Sequence, residues 1–385
     1  MNQTTTETER KAPGFFGKVV SFVRKNPVLT IAAVAALVTS CIVRPDGAYI
    51  GYFDFRTLTC LFCTLAVICA LGEIRFFYVC AERIISLTKN LRLSAVALVV
   101  ITFVGSMLIA NDMALITFLP LGWMVLTCTG NERHMAYVFI LQNIAANLGG
   151  MLTPFGNPQN LYLYSHFGIP NGTFMRTMLP PFLVAVTLII AACFLLPSSP
   201  LVYRGESEKL PKGRLAAYLA LFALSILVVF RGIPYLVGLI VIPIALLILC
   251  PKALRQVDYG LLFTFVCFFI FSGNMARIPA ISSLMQGLLG HSDRVTLFTS
   301  SMSCQVISNV PTAILLSRFT ENWKPLLYGV NIGGCGTLIS SLASLITFRT
   351  YNAKNPGHAF GYFKLFTVLN VAFLAILLGL CMLLV

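Results

Sequence analysis

The chain has 385 residues, 58% of them hydrophobic and only 10% charged, with a mean hydropathy of +0.87. A soluble domain carries roughly 25% charged residues, so this balance excludes an ordinary globular protein and indicates an all-α polytopic membrane protein. The net charge of +14 would suggest nucleic acid in a soluble chain, but here the basic residues lie between hydrophobic runs, where they report orientation, and no nucleic-acid motif is present.

Residues 1–25 read as a polar and then basic cytoplasmic leader, without the short hydrophobic core and small-residue cleavage site of a signal peptide. Spans of around twenty apolar residues follow at 26–43 and 57–75. A hydrophobic stretch interrupted at its centre occupies 93–128, a long broken span 135–165, and a further span 177–196 closes the first membrane half, 26–196. The polar segment 197–213 is the natural cytoplasmic linker. The second half, 214–385, holds spans at 214–231, 234–250 and 258–276, an interrupted stretch at 294–318, a broken span at 326–347 and a last span at 362–385.

If each interrupted stretch is a hairpin that enters and leaves on one side, the chain crosses nine times, with its N-terminus inside and its C-terminus outside. That arrangement puts 19 of the 27 Lys and Arg residues on the inside, as the positive-inside rule requires. Two full traverses instead would place the linker cations Arg204 to Arg214 outside.

The two halves also align. FDFRTLTCLFCTLAVICALGEI (53–74) matches VDYGLLFTFVCFFIFSGNM (257–275), with Asp54 and Asp258 at corresponding starts, and each is followed by an amphipathic stretch, a hairpin and a broken span. The first copy starts outside and the second inside, which predicts two inverted-topology repeats around an axis in the membrane plane.

The interruptions carry the candidate chemistry. The hairpin tips read ANDMALITFLPL (110–121) and SNVPTAILLS (308–317), and the breaks read GGMLTPFGNPQNL (149–161) and GGCGTLISSLASL (333–345). Non-helical backbone at membrane depth is tolerated only where it is enclosed by protein or lines a cavity, and its free N–H and C=O groups can hold an anion or a cation. Asn111, Ser308, Asn309 and Thr312 are therefore expected to contact solute from the tips, and Thr153, Gly156, Asn157, Asn160, Thr337, Ser340 and Ser341 from the breaks. Asn160 could instead terminate a helix. Gly149, Gly150, Gly333 and Gly334 could serve ion coupling or close helix packing, and Ser340, Ser341 and Ser344 could be interhelical hydrogen-bond glue.

Asp112 is the only carboxylate at a predicted tip. At the bilayer centre it would cost on the order of 2.5–3.5 kcal/mol, so it should face a polar cavity as a proton or cation coupling site; the alternative is a cap on the following helix. The histidines fall in predicted loops. The cysteines, among them Cys60, Cys63, Cys69, Cys193, Cys267 and Cys381, are scattered through apolar segments as small hydrophobes rather than metal ligands.

These motifs resemble the ion transporter superfamily, which includes arsenite permeases, citrate-transporter-like proteins, sodium/proton antiporters and divalent anion/sodium symporters. The resemblance covers residues 50–385: ANDMALITFLPL and SNVPTAILLS look like its hairpin tips, and TPFGNPQNLYL is similar to its Thr-Pro-x-Gly-Thr-Pro-x-Asn loop. The tip here is Asn-Asp where sodium/dicarboxylate symporters have Ser-Asn-Thr, and GGCGTLISSLAS lacks the Pro-x-Gly signature. The resemblance implies a scaffold and a mobile transport domain, an elevator motion, and a homodimer in the cell membrane.

The expected function is secondary transport of a small anion or oxyanion, of the arsenite or citrate type, with no cofactor beyond Na+ or H+ as coupling ion, a sodium site being possible at the same tips. A sodium/proton antiporter is the alternative. A channel would need no Asp-bearing hairpin, and an intramembrane enzyme lacks its motifs: there is no H-E-x-x-H, no G-x-S-x-G and no paired transmembrane Asp.

Overall fold

The computed structural model describes residues 26–200, 209–289 and 292–385, together with Val23. The leader apart from Val23, residues 201–208 of the linker, and His291 thus lie outside the described residues. The described chain is helical: α1 (Pro27–Ile42), α2 (Phe55–Glu73), α3 (Phe76–Ile85), α4 (Leu91–Ile109), α5 (Asn111–Cys128), α6 (Met135–Gly149), α7 (Pro158–His166) and α8 (Asn171–Cys193) precede the linker. After it come α9 (Lys212–Val229), α10 (Tyr235–Leu249), α11 (Pro251–Gln256), α12 (Tyr259–Arg277), α13 (Pro279–Leu289), α14 (Asp293–Ile307), α15 (Asn309–Leu316), α16 (Trp323–Ile332), α17 (Leu342–Lys354) and α18 (Ala359–Leu384).

Among the described residues, eight helical segments are long and apolar enough to cross a membrane: α2, α4, α5, Glu132–Leu152 (which contains α6), α8, α9, α12 and α18; α1 and α10 are shorter apolar helices. In a bilayer every backbone polar group must be satisfied within the protein, which helices do segment by segment. The helix starts are set by side chains that cap free N–H groups. Asp54 accepts from Thr57 N–H and Asp258 from Leu261 N–H, both at 2.9 Å, so the aspartates that aligned in the sequence have the same structural task. Asn90 and Ser292 likewise cap α4 and α14 by accepting from Leu93 and Val295 N–H.

Each interrupted stretch turns back on itself at one residue. Ala110 (φ 64°) and Ser308 (φ 73°) have positive φ, a backbone form L-residues rarely adopt. Across the first turn, Gln142 Nε2 donates both to Thr102 Oγ1 on α4 and to Phe118 O on α5, residues eight before and eight after Ala110, so the arms run side by side. The arms of this hairpin are 19 and 18 residues, about 28 and 27 Å long at 1.5 Å per residue. Those of the second are only 15 and 8 residues.

Both long spans break where expected. The first runs as α6, a single turn at Gly150–Leu152, and then α7; the second as α16 and α17, separated by residues 333–341. α6 is the most enclosed of the long helices, with every residue from Val138 to Gly149 buried. It packs on α4, α5, α8, α17 and α18, while α14, α15 and α18 pack on α16, which leads into the second break. A separate set of contacts joins α1 to α12 and α2 to α9, α10 and α11. His166, expected in a loop, instead ends α7, its ring stacked on Tyr162, because the half-helix runs one residue past the predicted span. Cys60, Cys63, Cys69, Cys193 and Cys381 are buried among apolar side chains and Cys267 is half-buried.

Candidate functional site

The two tips and the two breaks meet at one buried polar centre. Asn111 Nδ2 donates to Asn147 Oδ1 at 3.3 Å. A Cβ placed on Gly334 would lie 3.3 Å from Asn309 Nδ2 and 3.7 Å from Asn147 Oδ1, so the tip residues of both halves converge on this Asn and this Gly. Asn111, Asn309 and Asn147 are all buried.

The local chemistry recurs in the two halves. The side-chain oxygen of Asn111 accepts from Asp112 N–H, and that of Asn309 from Val310 N–H, each at 2.9 Å, so each Asn satisfies the next free N–H of the helix it begins. Thr153 Oγ1 donates to Met107 O, and Thr337 Oγ1 to Gln305 O; each Thr lies three residues after its Gly-Gly pair, each acceptor three before its tip. Asn157 and Ser341 occupy the N-cap positions of the returning half-helices α7 and α17. The Gly-Gly pairs sit in matching Asn-x-Gly-Gly runs, 147–150 and 331–334.

The halves also reach across to each other. Asn331 Nδ2 donates to Asn160 Oδ1 at 2.6 Å, and Asn143 Nδ2 to Ser344 Oγ at 3.3 Å, so the first segment of each broken helix bonds the second segment of the other. Asn160 Nδ2 points back at the carbonyls of Gly150, Met151 and Thr153, which the break leaves without helical partners. Asn160 therefore ties the break together from inside α7 rather than ending a helix.

Thr312 Oγ1 donates to Ser308 O and Ser308 Oγ to Ser340 O, while Ser340 Oγ donates to the carbonyls of Gly334 and Thr337. Ser341 and Ser344 bond one another. Three of the glycines are closely packed: a Cβ would lie 2.3 Å from Phe103 O at Gly149, 2.3 Å from Asn157 Oδ1 at Gly150, and 2.9 Å from Cys304 at Gly333. Gly156 is enclosed by Gly150 and Thr153, and Gly334 is the least tightly packed of the two pairs, with Asn309 Nδ2 and Asn331 O at 3.3 Å from a Cβ. Thr337 is exposed, whereas Thr153 is buried.

Several polar atoms at this centre are buried and unpartnered among the described residues: Asn147 Nδ2, Asn157 Oδ1 and Asn331 Oδ1. Each would cost on the order of 1–3 kcal/mol in a permanently closed core. Asp112, the residue after Asn111, likewise has Oδ1 enclosed and unpartnered. No side chain caps α5, and Asp112 N–H is held by Asn111, so the Asp112 carboxylate is not occupied in holding the helix start. Met113, the next residue, packs both against the main core and against the cluster formed by α2, α9 and α10.

Sequence reasoning alone passed over Asn147, Asn331 and Gln305. The signal was present: an Asn two residues before each Gly-Gly pair, and a Gln three before the second tip, which donates to the carbonyls of Gly333 and Cys335.

Residues 19–325 match the citrate transporter family. The chain belongs to that family. Among its relatives is the uncharacterized transporter MJ0456 of Methanocaldococcus jannaschii, 31% identical over 309 residues, or 78% of this chain and 82% of the relative. The inner membrane protein YbiR of Escherichia coli is 28% identical over 284 residues, or 72% of this chain and 75% of that protein. This citrate transporter family member is thus a multi-pass membrane transporter, and its two hairpin tips and two breaks form its polar centre.

Proposed function

We propose that the chain is a secondary active transporter of a small anionic solute of the citrate or arsenite type, driven by Na+ or H+ and resident in the cell membrane with its leader in the cytoplasm. The observation that carries this reading is the convergence of Asn111 and Asn309 on Asn147 and Gly334, amid buried polar atoms that lack partners. Helices α5, α7, α15 and α17 all begin at the tips or breaks, and helix N-termini carry partial positive charge. Together with amide donors, that favours negative charge at the centre without an intramembrane Lys or Arg. The freed carbonyls and Asp112 supply the opposite polarity for a coupling cation or proton.

On this reading the halves are inverted repeats, with boundaries at 26–196 and 214–385. The hairpins, the broken helices, α8 and α18 form a moving unit against a frame of α1, α2, α9, α10 and α12, and two copies of the chain associate through that frame. The separate packing of α1 on α12 and of α2 on α9 and α10 supports such a frame. The test is uptake of citrate and of arsenite into proteoliposomes under imposed proton or sodium gradients. Saturable uptake that collapses with one gradient is expected. Flux that does not saturate and ignores both gradients would instead indicate a channel.

A further inference from the structure

We infer that Asn147 is the residue that donates to the solute's negatively charged oxygen, and that Asn331, at the matching place in the second half, cannot do so. The inference rests on the anion-transport reading above. It follows from the directions in which the amides are forced to point, which hydrogen-bond partners fix even though oxygen and nitrogen look alike in shape.

In the first half the chain of constraint begins at a backbone N–H, which can only donate. Asp112 N–H donates to Asn111, so Asn111 presents its oxygen there and its Nδ2 to Asn147. Asn147 must answer with its oxygen. Its Nδ2, with two hydrogens, is left buried and unpartnered, on a side chain whose oxygen lies within van der Waals reach of a Cβ placed on Gly334, beside the opposite tip.

In the second half the constraint begins at carbonyls, which can only accept. Asn160 turns its Nδ2 toward Gly150, Met151 and Thr153, and so presents its oxygen to Asn331. Asn331 then spends its Nδ2 hydrogens on Asn160 Oδ1 at 2.6 Å and Leu327 O at 2.8 Å. What remains free on Asn331 is an acceptor, Oδ1. Two residues at equivalent places in equivalent Asn-x-Gly-Gly runs therefore offer opposite chemistry: Asn147 suits a carboxylate or oxyanion, and Asn331 suits a hydroxyl or a cation.

The test is citrate binding to the purified full-length protein, read by the ligand-induced rise in unfolding temperature. Asn147→Asp keeps the size and the acceptor for Asn111 but replaces the free donor with a carboxylate oxygen. Apparent citrate affinity at neutral pH is expected to fall by roughly 10- to 150-fold, the worth of a hydrogen bond to a charged group. As the pH is lowered through about 4, the new carboxyl gains a proton and can donate again, so the deficit relative to wild type at the same pH should shrink. Asn322→Asp, the same change at an exposed site, should bind as wild type. Should Asn147→Asp not fold, Asn147→Leu carries the test and must lose binding to at least the same extent. Wild-type affinity in whichever Asn147 variant folds, or a deficit in Asn147→Asp that does not shrink at low pH, would overturn the inference. Failure of the wild-type protein to bind citrate, arsenite or sulfate would instead overturn the anion reading on which it rests.

Discussion

The first hairpin and its break differ from the second in enclosure and in the side chains they carry, while the bonds that hold their shape are shared. In both, an Asn after a positive-φ turn satisfies the next N–H of its helix and a Thr ties the break to the preceding arm. Around that common frame, the first half places Asp112, Asn157 and Asn160 where the second places Val310, Ser341 and Ser344. The first break is buried, whereas Thr337 and Ile339 of the second are exposed. Geometry is thus supplied twice and ionic chemistry once, so under the transport function proposed above ion coupling belongs to the first hairpin, and the second completes the walls.

The comparison is broken most severely at Asp112. Asp112→Asn keeps the size and leaves the Asn111 bond intact, but removes the single titratable group at either tip. Gradient-driven uptake in proteoliposomes should fall by tenfold or more while the protein still folds, and Val310→Asn in the second half should have a much smaller effect. Unchanged dependence on both gradients in Asp112→Asn would mean that ionic asymmetry between the hairpins plays no part in coupling.

A smaller effect separates the two glycine pairs. In Gly149→Ala the added methyl meets the backbone oxygen of Phe103, which cannot move without shifting α4. That overpacking should cost about 1–3 kcal/mol. Gly334→Ala meets Asn309 Nδ2 and Asn331 O at 3.3 Å, tight contacts that a shift of a few tenths of an ångström relieves, so it should cost less stability than Gly149→Ala. Thermal unfolding of the two variants in the same detergent checks the order, and equal midpoints would contradict the packing difference.

The smallest effect lies at the ends of α2 and α12. Arg277 at the end of α12 forms an ion pair with Asp46 at 2.7 Å, whereas Glu73 at the end of α2 accepts from the neutral Gln256 at 2.6 Å. The Arg277 guanidinium holds the Asp46 carboxyl below its usual range. A carboxyl depressed in the folded state adds stability that is present above its unfolded pKa, about 3.9, and is lost as pH falls through the lower folded value. Asp46→Asn should therefore narrow its stability gap to wild type on acidification below about pH 4. The pair is exposed, so the gap should be slight at neutral pH and should shrink further in high salt.

Much of this was legible in the sequence because the bilayer leaves few options. Hydrophobic length placed most spans to within a few residues, and the Asp54 and Asp258 alignment marked two helix starts that prove to be capped in the same way. Interrupted hydrophobicity located both tips and both breaks. What sequence could not supply was direction: that Asn160 reaches back to the carbonyls of the break, or that Asn147 and Asn331 point opposite ends of identical amides into the centre, depends on partners 7 to 171 residues away. The doubling back at Ala110 was itself legible, from the interrupted hydrophobicity and the placement of Lys and Arg, and the bonds of Gln142 to both arms place those arms side by side.

The central claim is that one solute site is built from both tips, and binding to tip variants tests it most directly. Asn111→Ala and Asn309→Ala each remove one buried amide from opposite sides of the same centre, whereas Asn322→Ala removes an exposed one that donates to Asp293. Losing a buried polar contact is worth about 1–3 kcal/mol, or roughly 5- to 150-fold in affinity. Both tip variants should therefore weaken citrate or coupling-ion binding by that factor, with Asn322→Ala unchanged. Wild-type affinity in either tip variant, measured on protein that unfolds at the normal temperature, would contradict a site shared between the halves.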